Sequence, residues 1–145
     1  VKTVLFLCTG NYYRSRYAEI RFNNLAERGG LPWRAESRGL APHPHINYGP
    51  MSRYTVEALD RLGMAYTEHL RDPLAVTEAD FNRADLVIAL KEAEHRAMIE
   101  QDFPHRTAQV EFWHVHDLDC SEPAATLEEI ERLLTELVGR LHAAK

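Results

Sequence analysis

The sequence predicts an α/β fold in which a mostly parallel sheet is covered by helices on both faces. Short, continuously apolar runs recur along the chain, as strands buried on both faces require. Segments with apolar residues at helical spacing separate those runs. Strictly alternating elements of this kind imply right-handed strand–helix–strand units. The 145 residues are 45% hydrophobic and 27% charged, with 7 Gly and 7 Pro. This is an ordinary composition, and the length suits one domain over residues 1–145 with a sizeable apolar core.

Each element has its own warrant. "TVLFLC" (3–8) is apolar after its first residue and runs into a Gly-containing turn, which suits a buried parallel strand. "SRYAEIRFNNLAERGG" places Tyr17, Ala18, Ile20, Phe22 and Leu25 at helical spacing and stops at Gly29 and Gly30. "RAESRGL" (34–40) predicts a short second strand, and "APHPHINYGP" is too rich in Pro and Gly to be regular. "MSRYTVEALDRLGM" reads as a helix ending at Gly63, "ADLVIAL" (84–90) as a strand and "KEAEHRAMIEQDF" as a helix. "QVEFWHV" (109–115) predicts the last strand. Beyond Pro123, Leu127, Ile130, Leu133, Leu134, Leu137 and Leu141 form the stripe of an amphipathic terminal helix.

Ligands of such sheets bind beyond the carboxyl ends of the strands. Cys8 falls at one such end and the "HDLDC" loop at another. The net charge of -5 and pI near 5.9 argue against nucleic acid as a partner, because affinity for a phosphate backbone comes chiefly from clustered Lys and Arg. Two cysteines, Cys8 and Cys120, are too few for a disulfide framework. No secretory signal or apolar run of membrane length occurs, so the expectation is a cytoplasmic protein with no membrane partner.

The stretch "CTGNYYRS" (8–15) carries the chemistry. A thiol is a good nucleophile only when ionised, which a helix N-terminus or a neighbouring cation favours. Residues Thr9, Gly10, Asn11, Tyr12 and Tyr13 can turn their backbone N–H groups inward as an anion nest, and Gly10 and Asn11 tolerate the positive φ such a turn demands. Arg14 offers a planar fork matching two phosphate oxygens, and Ser15 can donate a hydrogen bond to the sulfur. A lone cysteine at a strand end is more often structural; Cys, five residues, Arg and Ser between a strand and a helix reverse that reading. The Gly-Lys-Ser/Thr ending of a nucleotide-binding P-loop is missing.

These residues resemble the signature of the low-molecular-weight protein tyrosine phosphatases, matching it at Cys8, Gly10, Asn11, Arg14 and Ser15. The likeness extends through "ESRGL", "YTEHLRDPL", "ADLVIAL" and "FWHVHDLD". It implies a three-layer sandwich with a central four-stranded parallel sheet. It also implies metal-free hydrolysis of phosphotyrosine without a cofactor, through a phosphocysteine on Cys8. Arg14 and the loop amides would hold the phosphate, Asp117 would act as acid and then base, and Asn11, Ser15, Ser37 and His69 would support the loop. Some positions depart from the family pattern: Tyr13 stands where many members have a second cysteine, Arg16 where Pro is common, Leu118 where Pro follows the acid, and "CSEP" where paired tyrosines occur.

Asp117 is preferred over Asp119 as the acid because its register with Trp113 and Val115 supports it. Tyr12, Tyr13, His43 and Tyr48 are candidate walls for a flat aromatic substrate. The "HPH" (43–45) and "HVH" (114–116) pairs lack a cysteine or carboxylate partner at zinc-ligand spacing, so no metal is expected. Two other functions stay open: an arsenate reductase relying on an external thiol, since residues 9–119 hold no cysteine, and a non-catalytic phosphate or phosphoprotein binder. Whether Cys120 can form a disulfide with Cys8 also stays open.

Overall fold

The computed structural model describes residues 1–43, 49–117 and 121–144. Its four strands are β1 (Lys2–Cys8), β2 (Trp33–Gly39), β3 (Leu86–Ala89) and β4 (Val110–Phe112), and they form one sheet in the order β2-β1-β3-β4. All three pairings are parallel, with Cys8 opposite Gly39 and Leu7 opposite Ala89. The helices are α1 (Arg14–Arg28), α2 (Arg53–Arg61), α3 (Glu78–Arg83), α4 (Glu92–Asp102) and α5 (Pro123–Ala143). Short 3-10 turns occupy Thr67–His69 and Pro104–Gln109.

The period-two alternation of β1 divides the interior into two layers of contact. Val4, Phe6 and Cys8 face one side, where they join Ile20 and Phe22 of α1 and Leu127, Ile130, Leu134 and Leu137 of α5. Leu5 and Leu7 face the other, against Phe81 of α3, Ile99 of α4, and Val76. Residues 4–7 are fully buried, each contributing about 1.5–3 kcal/mol of burial. This is the three-layer α/β sandwich, and it puts the carboxyl end of β1 in the middle of the sheet.

The boundaries differ from expectation at the last strand, which regular pairing confines to residues 110–112. Gln109 belongs to the preceding 3-10 turn. The chain continues alongside β3 irregularly, with Trp113 N–H donating to the Ala89 carbonyl (2.9 Å) and Val115 N–H to that of Leu90 (2.7 Å). Helix α3, which the apolar spacing did not announce, is secured by a capping box between Thr77 and Asp80. Among the described residues no helix is long and apolar enough to cross a membrane.

Candidate active site

Cys8 ends β1 and is 2% exposed, and the chain from Thr9 to Tyr13 wraps around its sulfur before α1 begins at Arg14. The carbonyls of this loop point outward into fixed donors. Leu40 N–H donates to the Cys8 carbonyl (2.8 Å), Ala41 N–H to that of Thr9 (2.9 Å), and Ser52 N–H to that of Tyr12 (2.9 Å). The Thr55 hydroxyl donates to the Tyr13 carbonyl (3.2 Å). In a trans peptide the following N–H points opposite its carbonyl, so the N–H groups of Thr9, Gly10, Tyr13 and Arg14 are turned to the inner side of the loop. The positive φ this path requires falls on Asn11, at 51°. Gly39 lies so close behind that a Cβ there would sit 2.9 Å from the Thr9 carbonyl oxygen and 2.8 Å from Pro42 Cγ.

A chain of hydrogen bonds reaches the sulfur. The Asn11 amide nitrogen donates to Ser15 Oγ (3.0 Å) and to Ser37 Oγ (2.9 Å), while its oxygen accepts from Arg71 Nη1 (2.9 Å) and Leu74 N–H (3.0 Å). Ser37 donates its proton to Glu19 Oε1. Cys8 Sγ, as a thiol, donates to Ser15 Oγ, 2.9 Å away, and once the sulfur is ionised the Ser15 hydroxyl is the group placed to donate back to it. Glu19 only accepts and Arg71 only donates, so the two ends orient the Asn11 amide and the Ser37 hydroxyl between them. Arg71 also reaches the Ser37 carbonyl (3.0 Å) and Glu19 (3.4 Å). Burial and the nearby Arg16 bring its guanidinium down to about 10.

This network corrects the expected part of His69. Among the described residues no hydrogen bond joins its imidazole to the loop. It contributes its carbonyl, which accepts from the fully buried Arg16. Arg71, two positions on, makes the loop contact. Arg16 also pairs with Glu19 at 3.1 Å, and its burial lowers its guanidinium pKa.

Arg14, itself 2% exposed, gathers groups from two chain segments. Its Nη1 donates to the Val115 carbonyl (3.1 Å); its Nη2 lies 3.0 Å from Glu94 Oε2 and 3.4 Å from Asp117 Oδ2. Burial works against its charge, and Cys8, Glu94 and Asp117 outweigh burial, so its pKa is raised. The same Glu94 oxygen accepts from the Thr9 hydroxyl and lies 3.0 Å from His95 Nε2. His95 is fully buried, and burial lowers its pKa. Glu94 is held far below the usual carboxylate range, first by the hydrogen bond from His95, then by those from Thr9 and Arg14, against an opposing burial effect.

The structure thus links Cys8, Ser15, Asn11 and Ser37 by hydrogen bonds and sets Arg14, which feels the charge of Cys8, against Asp117. Tyr12 is half-buried in the loop, and His43 is exposed after β2. Tyr13 is no pocket wall: it is buried, stands edge-on to Tyr54 with centroids 6.1 Å apart, and its hydroxyl donates to the Pro123 carbonyl (3.4 Å). Burial foremost pushes that hydroxyl up to about 12. Tyr48, Asp119 and Cys120 lie outside the described residues. Sequence reasoning missed Arg71, Glu19, Thr55, Glu94 and His95. Only Glu94 and His95 carried a signal, their place just beyond the carboxyl end of β3.

An anion nest, a buried thiol hydrogen-bonded to a serine hydroxyl, a guanidinium and a neighbouring carboxylate suit nucleophilic displacement at a tetrahedral oxyanion. Comparison with known proteins agrees with that class of chemistry. The family model described as low molecular weight phosphotyrosine protein phosphatase matches residues 3–145. A protein-arginine-phosphatase of Bacillus subtilis (strain 168) is 32% identical over 150 residues, covering 95% of each chain. A low molecular weight phosphotyrosine protein phosphatase of Schizosaccharomyces pombe is 35% identical over 96 residues, covering 64% of this chain and 58% of its own. The crystal structure of YfkJ from Bacillus subtilis superposes with a TM-score of 0.86 at 25% identity, over 100% of this chain and 97% of the other.

Proposed function

Because the chain belongs to the low molecular weight phosphotyrosine protein phosphatase family, a family of protein phosphatases, we propose that it hydrolyses phosphotyrosine in proteins through a phosphocysteine on Cys8. The observation that carries the reading is the outward turn of four loop carbonyls around a sulfur that is hydrogen-bonded to the Ser15 hydroxyl. Inward amides and Arg14 bind the equatorial phosphoryl oxygens and stabilise the charge that spreads over them in the transition state.

In the first step the Cys8 sulfur forms a bond to phosphorus as the bond from phosphorus to the phenolic oxygen breaks, and the Asp117 carboxyl gives its proton to that oxygen. In the second step Asp117, now a carboxylate, takes a proton from a water molecule whose oxygen attacks phosphorus. The S–P bond breaks, and phosphate and the thiolate are released. Asp117 reaches both the solvent side and Arg14: its side chain is 42% exposed and 3.4 Å from Nη2.

Phosphoarginine is the second reading. It is favoured by the likeness to the Bacillus subtilis arginine phosphatase, which covers 95% of each chain. The deciding experiment compares initial rates on a phosphotyrosine peptide, a phosphoarginine peptide and arsenate with an external thiol, using wild type and Cys8→Ser. The expected result is fastest turnover of phosphotyrosine, abolished in Cys8→Ser, with vanadate still bound. Faster phosphoarginine turnover selects the second reading. Thiol-dependent arsenate reduction without dephosphorylation, or turnover retained by Cys8→Ser, overturns the phosphocysteine assignment.

A further inference from the structure

We propose that Glu94 is a positioning residue for Arg14, held in place by Thr9 and by a tautomer of His95 fixed by the backbone. The inference rests on the phosphocysteine reading and adds to it a part that the Cys8, Arg14 and Asp117 constellation lacks. An arginine that binds a phosphoryl group must present a chosen edge of its fork, and a four-bond side chain has many ways to present the wrong one.

Here the fork is gripped on both terminal nitrogens. The Val115 carbonyl takes Nη1 and Glu94 Oε2 takes Nη2. The carbonyl belongs to the segment after β4 and the carboxylate to the first turn of α4, so two independent elements define the guanidinium plane.

The carboxylate is itself fixed. His95 Nδ1 accepts the backbone N–H of Lys91 at 3.0 Å, which leaves the ring proton of the neutral imidazole on Nε2, 3.0 Å from Glu94 Oε2. The Thr9 hydroxyl donates to the same oxygen. His95 is fully buried and remains uncharged, so it orients Glu94 without cancelling its charge. An oxygen with three donors from α1, α4 and the anion loop does not depend on Arg14 for satisfaction, and it stays in place when an oxyanion arrives. Glu94 therefore anchors the arginine and does not compete with phosphate for it. Thr9 joins the anchor directly to the residue after the nucleophile, so the loop and the fork are set by one oxygen.

The test is steady-state kinetics on an aryl phosphate with Glu94→Gln, Thr9→Val and, as a control, Glu92→Gln, which alters an exposed carboxylate paired with Arg96. Wild type is assayed beside Cys8→Ser, so a failure of the phosphocysteine reading shows as Cys8-independent turnover, apart from any effect at Glu94. In Glu94→Gln, kcat is expected to fall roughly 10- to 100-fold, as misplacement of a binding group predicts, with KM and the phosphate inhibition constant nearly unchanged. Vanadate, which resembles the transition state, should bind more weakly by a similar factor. Thr9→Val should lose kcat in the same direction by a smaller factor, and Glu92→Gln should match wild type. An unchanged kcat in Glu94→Gln would overturn the proposal, and so would tighter phosphate binding, which would make Glu94 a competing anion. A loss confined to KM would also overturn it. Should Glu94→Gln fail to fold, Thr9→Val decides by the same split, because it leaves both charges in place.

Discussion

Replacing Gly39 with alanine puts a methyl group where the backbone of the loop between Cys8 and Arg14 already lies. The added carbon would meet Pro42 Cγ at 2.8 Å, the Thr9 carbonyl oxygen at 2.9 Å and Asn11 Cβ at 3.1 Å, about 0.5 Å inside ordinary contact distances. Neither side yields freely. The Thr9 oxygen is held by Ala41 N–H at 2.9 Å, while Gly39 is pinned by its own N–H to the Leu74 carbonyl (2.7 Å) and by Val76 N–H to its carbonyl (2.9 Å). Overpacking of this size costs about 1–3 kcal/mol, or roughly 3–12 °C in Tm for a domain of this length. Since a 1 Å misplacement costs about a hundredfold in rate, half of that displacement predicts a kcat lower by about tenfold. The assay is aryl phosphate turnover beside a thermal melt, with Gly139→Ala as the opposing control. Gly139 has nothing within 4 Å of the added carbon and lies inside α5, so alanine there should raise stability by up to about 1 kcal/mol. A Gly39→Ala protein with wild-type Tm and kcat would refute the idea that β2 and the loop are in hard contact.

Asp117→Asn should slow release of tyrosine, a poor leaving group, by roughly 10²- to 10⁴-fold and that of nitrophenol less, as measured across a series of aryl phosphates. Arg71→Met should slow both turnover and alkylation of Cys8 by iodoacetate, while His69→Ala leaves both near wild type; the opposite ranking would restore the imidazole to the loop network. His95 carries the pH prediction, with Glu94, Arg14 and Asp117 as the charges that act on it. Its folded pKa lies below the unfolded value of about 6.5, so over that window the unfolded chain takes up a proton that the native state does not. Stability is therefore present above about pH 6.5 and lost as pH falls. Between pH 7 and 5 the melting temperature of wild type should drop more than that of His95→Phe. Glu94, depressed in the folded state, adds its own loss only below about pH 4.5, outside this window.

The parts legible in the sequence are those whose cause is local. The two central strands declare themselves because a strand buried on both faces is apolar throughout, and "VLFLC" and "LVIA" are. Cys8, Asn11, Arg14 and Ser15 lie within one turn of chain, where a fixed spacing is enough to place them around a common centre. What escaped is held by distant partners. Arg71 meets Asn11 across 60 positions, Glu94 meets Arg14 across 80 and Thr55 meets Tyr13 across 42, and no local pattern encodes such pairs. Tyr13 misled for a related reason: an aromatic next to a binding loop faces the ligand or the core according to the helix packed outside it, and α5 with its Pro123 carbonyl decides for the core. The last strand read too long because alternation in "QVEFWHV" continues after the ladder with β3 has become irregular.

The bond between Arg14 and the Val115 carbonyl joins residues 101 positions apart, and this has a consequence in time. At a synthesis rate of about 5–20 residues per second, Arg14 leaves the ribosome roughly 5–20 s before the carbonyl that grips it. During that interval the nascent chain carries the Cys-to-Arg loop without Glu94, without Asp117 and without the α5 side chains that close over Phe6 and Cys8. A growing chain therefore holds the loop before any of the distant partners that fix Arg14 exist, and the arrangement around it is complete only once the segment after β4 has been made.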